Sequence, residues 1–179
     1  MDLSEAGFDG TYSIAEKGGE SVAYQGRKKA VTTDILPVTD SNGYVTGTID
    51  LVAGCHNDSY NLKSDLRTLF KDMKKIGLVR TGTCFNADTA SDTEDARKTR
   101  FNHGLIPNIK ENKRNRKRLK RGPKRFFNSE VYKRRFISER TFGWIDKFRS
   151  LVVRYDRKDD YFMGDHHIAF AMLNLRNAL

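Results

Sequence analysis

No stretch of this 179-residue chain approaches the roughly 18 consecutive apolar residues that a membrane-spanning helix needs. Hydrophobic residues make up 37% of the chain and charged residues 31%, which excludes a membrane protein and is polar for an ordinary enzyme. The start, Met1-Asp2-Leu3-Ser4-Glu5, lacks both a basic region and an apolar region, so no secretory signal is visible. Cysteine is scarce. Cys55 and Cys84 stand alone with no C-x-x-C spacing, which excludes a zinc ribbon and a dithiol redox motif. Two free thiols without an export signal suit a reducing, cytoplasmic setting. The length allows one compact domain, or a domain plus a tail, with a core that needs no disulfide.

Acidic residues are also too few to balance the basic ones. Lys and Arg number 33 against 23 Asp and Glu, for a net charge of +10 and a pI near 9.7. Such a chain is drawn to polyanions, with nucleic acid the default partner. The charge is concentrated. Residues 109–125 read IKENKRNRKRLKRGPKR, with ten basic residues and one acid, Glu111. This run predicts a basic arm or loop that orders on a polyanion, and Gly122-Pro123 breaks any helix within it. Its cations Lys113, Arg114, Arg116, Lys117, Arg118, Lys120 and Arg121 are the candidate backbone-binding residues. Nothing in the run points to base readout, so little sequence preference is expected. A solvated loop serving solubility alone is the competing reading.

The first half reads as strands over residues 7–14, 30–38 and 44–53. Asp40-Ser41-Asn42-Gly43 supplies a tight turn between the second and third. Three antiparallel strands in meander order are the economical arrangement. The period then changes. Leu62, Leu66, Leu69, Phe70, Met73 and Ile76 fall at helical spacing, with Asp58 or Ser59 as the cap and Gly77 as the stop. Residues 78–85 read as a strand that follows a crossover to a parallel partner. A short helix over 92–101, a short strand over 105–109 and long helices over 129–148 and 160–177 complete the order. That order is the one found in an RNase H-like α/β fold, a mixed sheet flanked by helices, here a single domain over residues 1–179.

Three acids stand out by position. Asp9 lies within a strand, where a charge needs a partner. Asp88 follows the fourth strand directly, and Glu139 lies on the helix over 129–148. Acids on two strands and a helix can converge at one end of a sheet, where mutual repulsion calls for a cation. An all-oxygen site suits Mg²⁺ or Mn²⁺, and two such ions could serve displacement at a phosphodiester. Surface acids in suggestive places are the commoner outcome. Around Glu139 the helix carries Tyr132 and Arg135 within about 60° of it, which groups a phenol, a guanidinium and a carboxylate on one face. Arg135 can pair with Glu139 or hold a phosphate bidentately. His56 and Asp58 could approach such a site, although a structural histidine and a helix cap are the plainer roles. His166 and His167 point about 100° apart on a helix and do not chelate together. Cys84 reads as a core thiol. Trp144, Phe142 and Phe148 read as helix-packing aromatics rather than base-stacking platforms.

Tyr132-x2-Arg135-x3-Glu139 resembles the Y-x2-R-x3-E core of bacterial insertion-sequence transposases of the DDE type. Arg140-Thr141-Phe142-Gly143-Trp144 and residues 148–155 (FRSLVVRY) are similar to the stretch that follows it in that family. Upstream, Asp9-Gly10-Thr11, Lys17-Gly18-Gly19-Glu20 and residues 24–29 (YQGRKK) resemble the first-Asp strand and its loop. Gly54-Cys55-His56-Asn57-Asp58 and Asn86-Ala87-Asp88 resemble the next two motifs, so the likeness runs in one order over about residues 9–175. The resemblance implies an RNase H-like fold whose three acids, Asp9, Asp88 and Glu139, bind divalent metal. It implies DNA strand cleavage by water, then attack of the freed 3′-hydroxyl on target DNA. Tyr132 and Arg135 would position the DNA end. DNA would be the partner, at element ends and target, with a homodimer as one form of the active complex in the bacterial nucleoid.

The sequence departs from the family in three places. Thr89-Ala90-Ser91-Asp92 stands where GFD is frequent. Asp146 stands where the signature ends in Lys, with Lys147 one residue on. The chain starts eight residues before Asp9, without the family's N-terminal helical DNA-recognition region, and so reads as a catalytic-domain fragment or a truncated product. A non-catalytic basic DNA- or RNA-binding module, an inactive remnant, or a nuclease of the same fold are the alternatives.

Overall fold

The computed structural model describes residues 1–57, 59–78, 81–112 and 125–178. Each of the three expected N-terminal strands forms, but each is interrupted. The first becomes β1 (Glu5–Phe8) and β2 (Thr11–Ala15), parted at Asp9-Gly10. A short β3 (Ala23–Gln25) follows. The second becomes β4 (Ala30–Ile35) and β5 (Pro37–Asp40), parted where Pro37 removes a ladder donor. The third becomes β6 (Val45–Thr48) and β7 (Val52–Ala53). The breaks divide the strands between two mixed sheets. One has the order β6-β5-β1-β8-β9, where β8 is Cys84–Ala87 and β9 is Ile106–Ile109. The other has the order β10-β2-β4-β3, with β7 also on β4 and β10 (Val153–Arg154) parallel to β2. The antiparallel meander and the parallel return of β8 onto β1 both match the sequence expectation. The turn between β5 and β6 is closed by its own aspartate. Asp40 Oδ1 accepts the Asn42 and Tyr44 amides, each at 2.9 Å, and Gly43 takes a φ of +90°.

Helices cover both sides. On one, α1 (Leu62–Lys75) and α2 (Glu94–Asn102) meet a core of Phe8, Val38, Phe85 and Ile109. The helical spacing in α1 does what it predicts. Leu62, Leu66, Leu69, Phe70 and Met73 are all buried, each worth about 1.5–3 kcal/mol when fully removed from water. Ile76 lies beyond the helix and is exposed, and Gly77 (φ +74°) ends the run as Leu78 donates back to the Met73 carbonyl. Asn61, not Ser59, holds the N-cap position, and it makes no side-chain cap bond; Asp58, the other expected cap, lies outside the described residues. On the other side, α4 (Phe136–Ile145), α5 (Arg149–Val152) and α6 (Asp159–Ala178) enclose Ile35, Leu51, Leu151 and Phe162. Among the described residues no helix is long and apolar enough to cross a membrane.

The expected single helix over 129–148 is two. A short α3 (Ser129–Lys133) meets α4 through a tightened turn. The amides of Arg134, Arg135, Ile137 and Ser138 each donate to the carbonyl three residues back, which is 3₁₀ geometry. The tightening accompanies a very close approach of α4 to the sheet. Ser138 is buried, and its hydroxyl lies 2.9 Å from that of Thr39 on β5. A Cβ at Gly7 would stand 2.3 Å from Ser138 Oγ and 2.9 Å from Thr39 Oγ1. The Ser138 and Thr39 hydroxyls thus occupy the space that a methyl group at Gly7 would need. Gly7→Ala is expected to break the Thr39–Ser138 contact and lift α4, lowering stability by about 1–3 kcal/mol in a urea titration. An unchanged midpoint would show that the helix does not depend on this contact.

Candidate carboxylate site

The sheet register brings the first two acids together. In the parallel ladder Phe8 of β1 pairs with Ala87 of β8, and Ala87 pairs with Ile109 of β9. Asp9 and Asp88 are thus each the first residue past the carboxyl end of adjacent parallel strands. Crevices beyond such strand ends are the usual ligand sites of α/β sheets. Both carboxylates are locally fixed. Asp9 Oδ1 accepts the Gly10 amide at 3.0 Å, and Asp88 Oδ1 accepts the Thr89 amide at 2.7 Å, capping a 3₁₀ turn over Thr89–Ser91. The Thr89-Ala90-Ser91 departure from the family pattern is this turn.

The third acid arrives from α4. Glu139 is adjacent to the buried Ser138, so the contact over Gly7 also carries Glu139 to the end of β1. All three acids meet one guanidinium. Arg135 Nη1 lies 3.1 Å from Asp9 Oδ2 and 3.7 Å from Asp88 Oδ1, while Nη2 lies 3.7 Å from Glu139 Oε1. Of these, the bond to Asp9 has hydrogen-bond geometry. The side chains of Asp9, Asp88 and Glu139 are 17%, 41% and 60% exposed, so the cluster grades from a sheltered floor to an open rim. The neighbouring Arg134 turns the other way, to Glu5 at the start of β1. Two adjacent arginines thus grip both ends of one strand.

Tyr132 completes the predicted face. Its ring lies 5.7 Å from the Arg135 guanidinium carbon and 5.2 Å from Phe127. Burial pushes its phenol above the ordinary value, against the opposing pull of Arg135, so it is a neutral hydrogen-bonding group at neutral pH.

The donor chemistry fits a hard divalent cation, because all three groups offer carboxylate oxygens. Their present spacing does not form a closed cage. Among the described residues no three acidic, histidine or cysteine side chains sit close enough to grip an ion directly. The Arg135 guanidinium lies within 4 Å of each of the three carboxylates.

Asp92 has a structural role that its place in the sequence did not announce. Its carboxylate accepts Arg97 Nε at 2.7 Å, Arg125 Nη1 at 3.0 Å and the Asn112 amide at 2.8 Å. Burial alone would raise its pKa, but these donors outweigh it and hold the carboxyl below its ordinary value. Asn112 and Arg125 flank residues 113–124, so one acid staples both ends of the basic run. Asn108 and Asn128 reinforce it, with the Asn128 amide donating to Asn108 Oδ1 at 2.8 Å. The expected DNA-binding residues Lys113, Arg114, Arg116, Lys117, Arg118, Lys120 and Arg121 lie outside the described residues. Their flanks leave the sheet beside Asp88, since β9 is the immediate neighbour of β8.

A cleft of about 600 Å³ opens against Asp88. Its walls include Tyr12, Tyr24, Gln25, Asp34 and His56. Asp34 was not singled out in the sequence, although an acid in the β-branched run of residues 30–38 is the same signal that marked Asp9. His56 stacks on Tyr60 with centroids 3.6 Å apart, a packing role. His166 is buried with Nδ1 on the Phe162 carbonyl, and burial pushes its pKa down. The Cys84 thiol is pushed up to about 11 by burial, aided by Glu5, so it stays protonated at neutral pH. Phe142, Trp144 and Phe148 pack on the core beside α6, as helix aromatics do.

Comparison with protein-family models, curated proteins and solved structures returned no match.

Proposed function

We propose that this chain is the catalytic domain of a metal-dependent DDE-type transposase, with an RNase H-like fold. Supporting the fold reading, β6, β5 and β1 run antiparallel in sequence, and β8 and β9 add on parallel to β1. The observation that carries the functional reading is that Asp9, Asp88 and Glu139, from two strand ends and a helix, all reach the Arg135 guanidinium. In this reading the three carboxylates hold Mg²⁺ or Mn²⁺, two ions in the expected form. The bound metal would activate the attacking oxygen and stabilise the leaving oxygen at phosphorus. The rest falls to the protein. Arg135 and Tyr132 orient the DNA end, the first by a forked guanidinium suited to a phosphate, the second by a neutral phenol. The basic run, stapled at both flanks by Asp92, draws DNA backbone toward the strand ends.

The direct test is nicking of supercoiled DNA by the purified chain with Mn²⁺, and its loss in chelator. Binding without cleavage would favour the plain basic module, and cleavage without strand transfer would favour a nuclease of the same fold. Affinity should also depend steeply on salt. If six side chains of the basic run meet phosphates, log K falls with log salt with a slope of about −5. A slope near zero in fluorescence anisotropy would remove the basic run from the interface.

A further inference from the structure

We propose that the outer face of α6 is a seam on which a second copy of this chain docks, its own α6 running antiparallel to the first. The inner face of the helix is already committed. Phe162, His166, Ala169, Phe170 and Leu173 are buried. Asn174 pins the helix to β6, accepting the Val45 amide at 2.9 Å and donating to the Val45 carbonyl at 2.8 Å. The opposite side therefore cannot roll inward, yet it is apolar too. Tyr161, Ile168 and Leu175 recur every seven residues and are between 62% and 69% exposed. Gly164, Ala171 and Ala178 recur every seven residues between them. This is the repeat with which paired helices meet along a seam, and a helix that is apolar on both sides is one that buries both.

The occupant follows from the sizes. Large residues form one row of the seam and small residues the other. An antiparallel pair centred between Ile168 and Ala171 sets Tyr161 of one copy against Ala178 of the other, Gly164 against Leu175 and Ile168 against Ala171. Two-fold symmetry makes each layer occur twice. Every layer then joins one large side chain to one small. Parallel helices would set large on large and leave gaps at the small rows. The charges agree with the sizes. Asp159 and Asp160 open the helix and Arg176 lies in its last turn, so the antiparallel pair brings acidic starts beside basic ends. With the exposed Met172 beside the seam, the two faces cover roughly 1,000 Å², at the lower end for a specific contact, and a reversible dimer with a Kd of about 10–100 µM is expected. Metal and DNA play no part in this contact, so its failure would leave the carboxylate site untouched.

The test is sedimentation equilibrium of the full chain over about 5–500 µM, in high salt without metal or nucleic acid, with a reductant to keep the exposed Cys55 from cross-linking. Circular dichroism verifies that each variant is folded. Wild type should pass from monomer to dimer across this range. Ile168→Glu should weaken association at least about tenfold. Ala171→Ile puts two branched side chains into one layer and should weaken it about tenfold as well. Combining Ala171→Ile with Ile168→Ala restores one large and one small residue to each layer, and should return the affinity to within about threefold of wild type. A wild-type chain that stays monomeric throughout would overturn the second copy as the occupant of this face. Tighter association in Ala171→Ile, or a dimer indifferent to Ile168→Glu, would overturn the seam and its register.

Discussion

Glu139→Gln is expected to lower Mn²⁺-dependent DNA nicking by on the order of 10³-fold or more, with the fold intact. The substitution keeps the shape of the side chain and removes its charge. Glu139 is the most exposed of the three acids, and its nearest cationic partner in the cluster is Arg135 at 3.7 Å, so little stability depends on it. Its position comes from Ser138, which stays in place over Gly7. Asp88→Ala should show the same loss of activity. It should also lose some local order, because Asp88 caps the turn over Thr89–Ser91 and helix or turn caps are worth about 0.5–2 kcal/mol. Equal nicking by either variant and wild type would reject the proposed roles.

Arg100→Met is expected to stabilise the protein, by about 1–4 kcal/mol. Arg100 on α2 is wholly buried, and none of its guanidinium nitrogens has a hydrogen-bond partner among the described residues. Its charge is met chiefly by aromatic faces, with the Phe8 and Phe85 centroids 5.6 and 5.0 Å from the guanidinium carbon. A cation in such a place is desolvated with incomplete compensation. Burial pushes its pKa down to about 9, with nearby Arg97 adding to the shift. The sign of the pH dependence follows. The unfolded chain holds this proton more tightly than the folded one, so the cost of burying the charge is fully present below about pH 9. It is relieved as pH rises from there toward the ordinary arginine value. The advantage of Arg100→Met should therefore be full at neutral pH and shrink above about pH 9. Thermal melts read this directly, at roughly 2–4 °C per kcal/mol for a chain of this size. A strongly destabilised variant would mean that the guanidinium serves packing or binding that outweighs its charge.

The sequence made the periodic elements legible. Leu62, Leu66, Leu69, Phe70 and Met73 repeat with the helical period, and they are the buried face of α1. Asn42-Gly43 marked the hairpin because a positive φ at Gly43 has few alternatives. Asp9 stood out as a charge within a strand and Asp88 as one directly after a strand, and Glu139 followed from the spacing to Tyr132 and Arg135. What stayed hidden depends on tertiary contacts. The breaks at Asp9-Gly10 and before Pro37 split each strand between two sheets, and local β propensity does not register a change of sheet. Residues 129–148 have no helix breaker at Arg134-Arg135, so the tightened turn there, next to the packing of Ser138 over Gly7, is not announced by local sequence. The pairing of β10 with β2 joins two residues far along the chain to the second sheet, which no local pattern announces. The role of Asp92 was equally non-local, because its partners Arg97, Asn112 and Arg125 are spread along the chain.

In the proposed reading Asp9 and Asp88, just past β1 and β8, form one cation site with Glu139 of α4. Mn²⁺ titration followed by nuclear magnetic resonance reads that location without recourse to activity, since the ion broadens nearby amide signals. The first signals lost should be those of residues 9–10, 88–89 and 135–139, all together and at one concentration, and Asp88→Asn should spare them. Broadening that begins instead at separate surface acids such as Asp72 and Asp95, with residues 9, 88 and 139 unaffected, would contradict it.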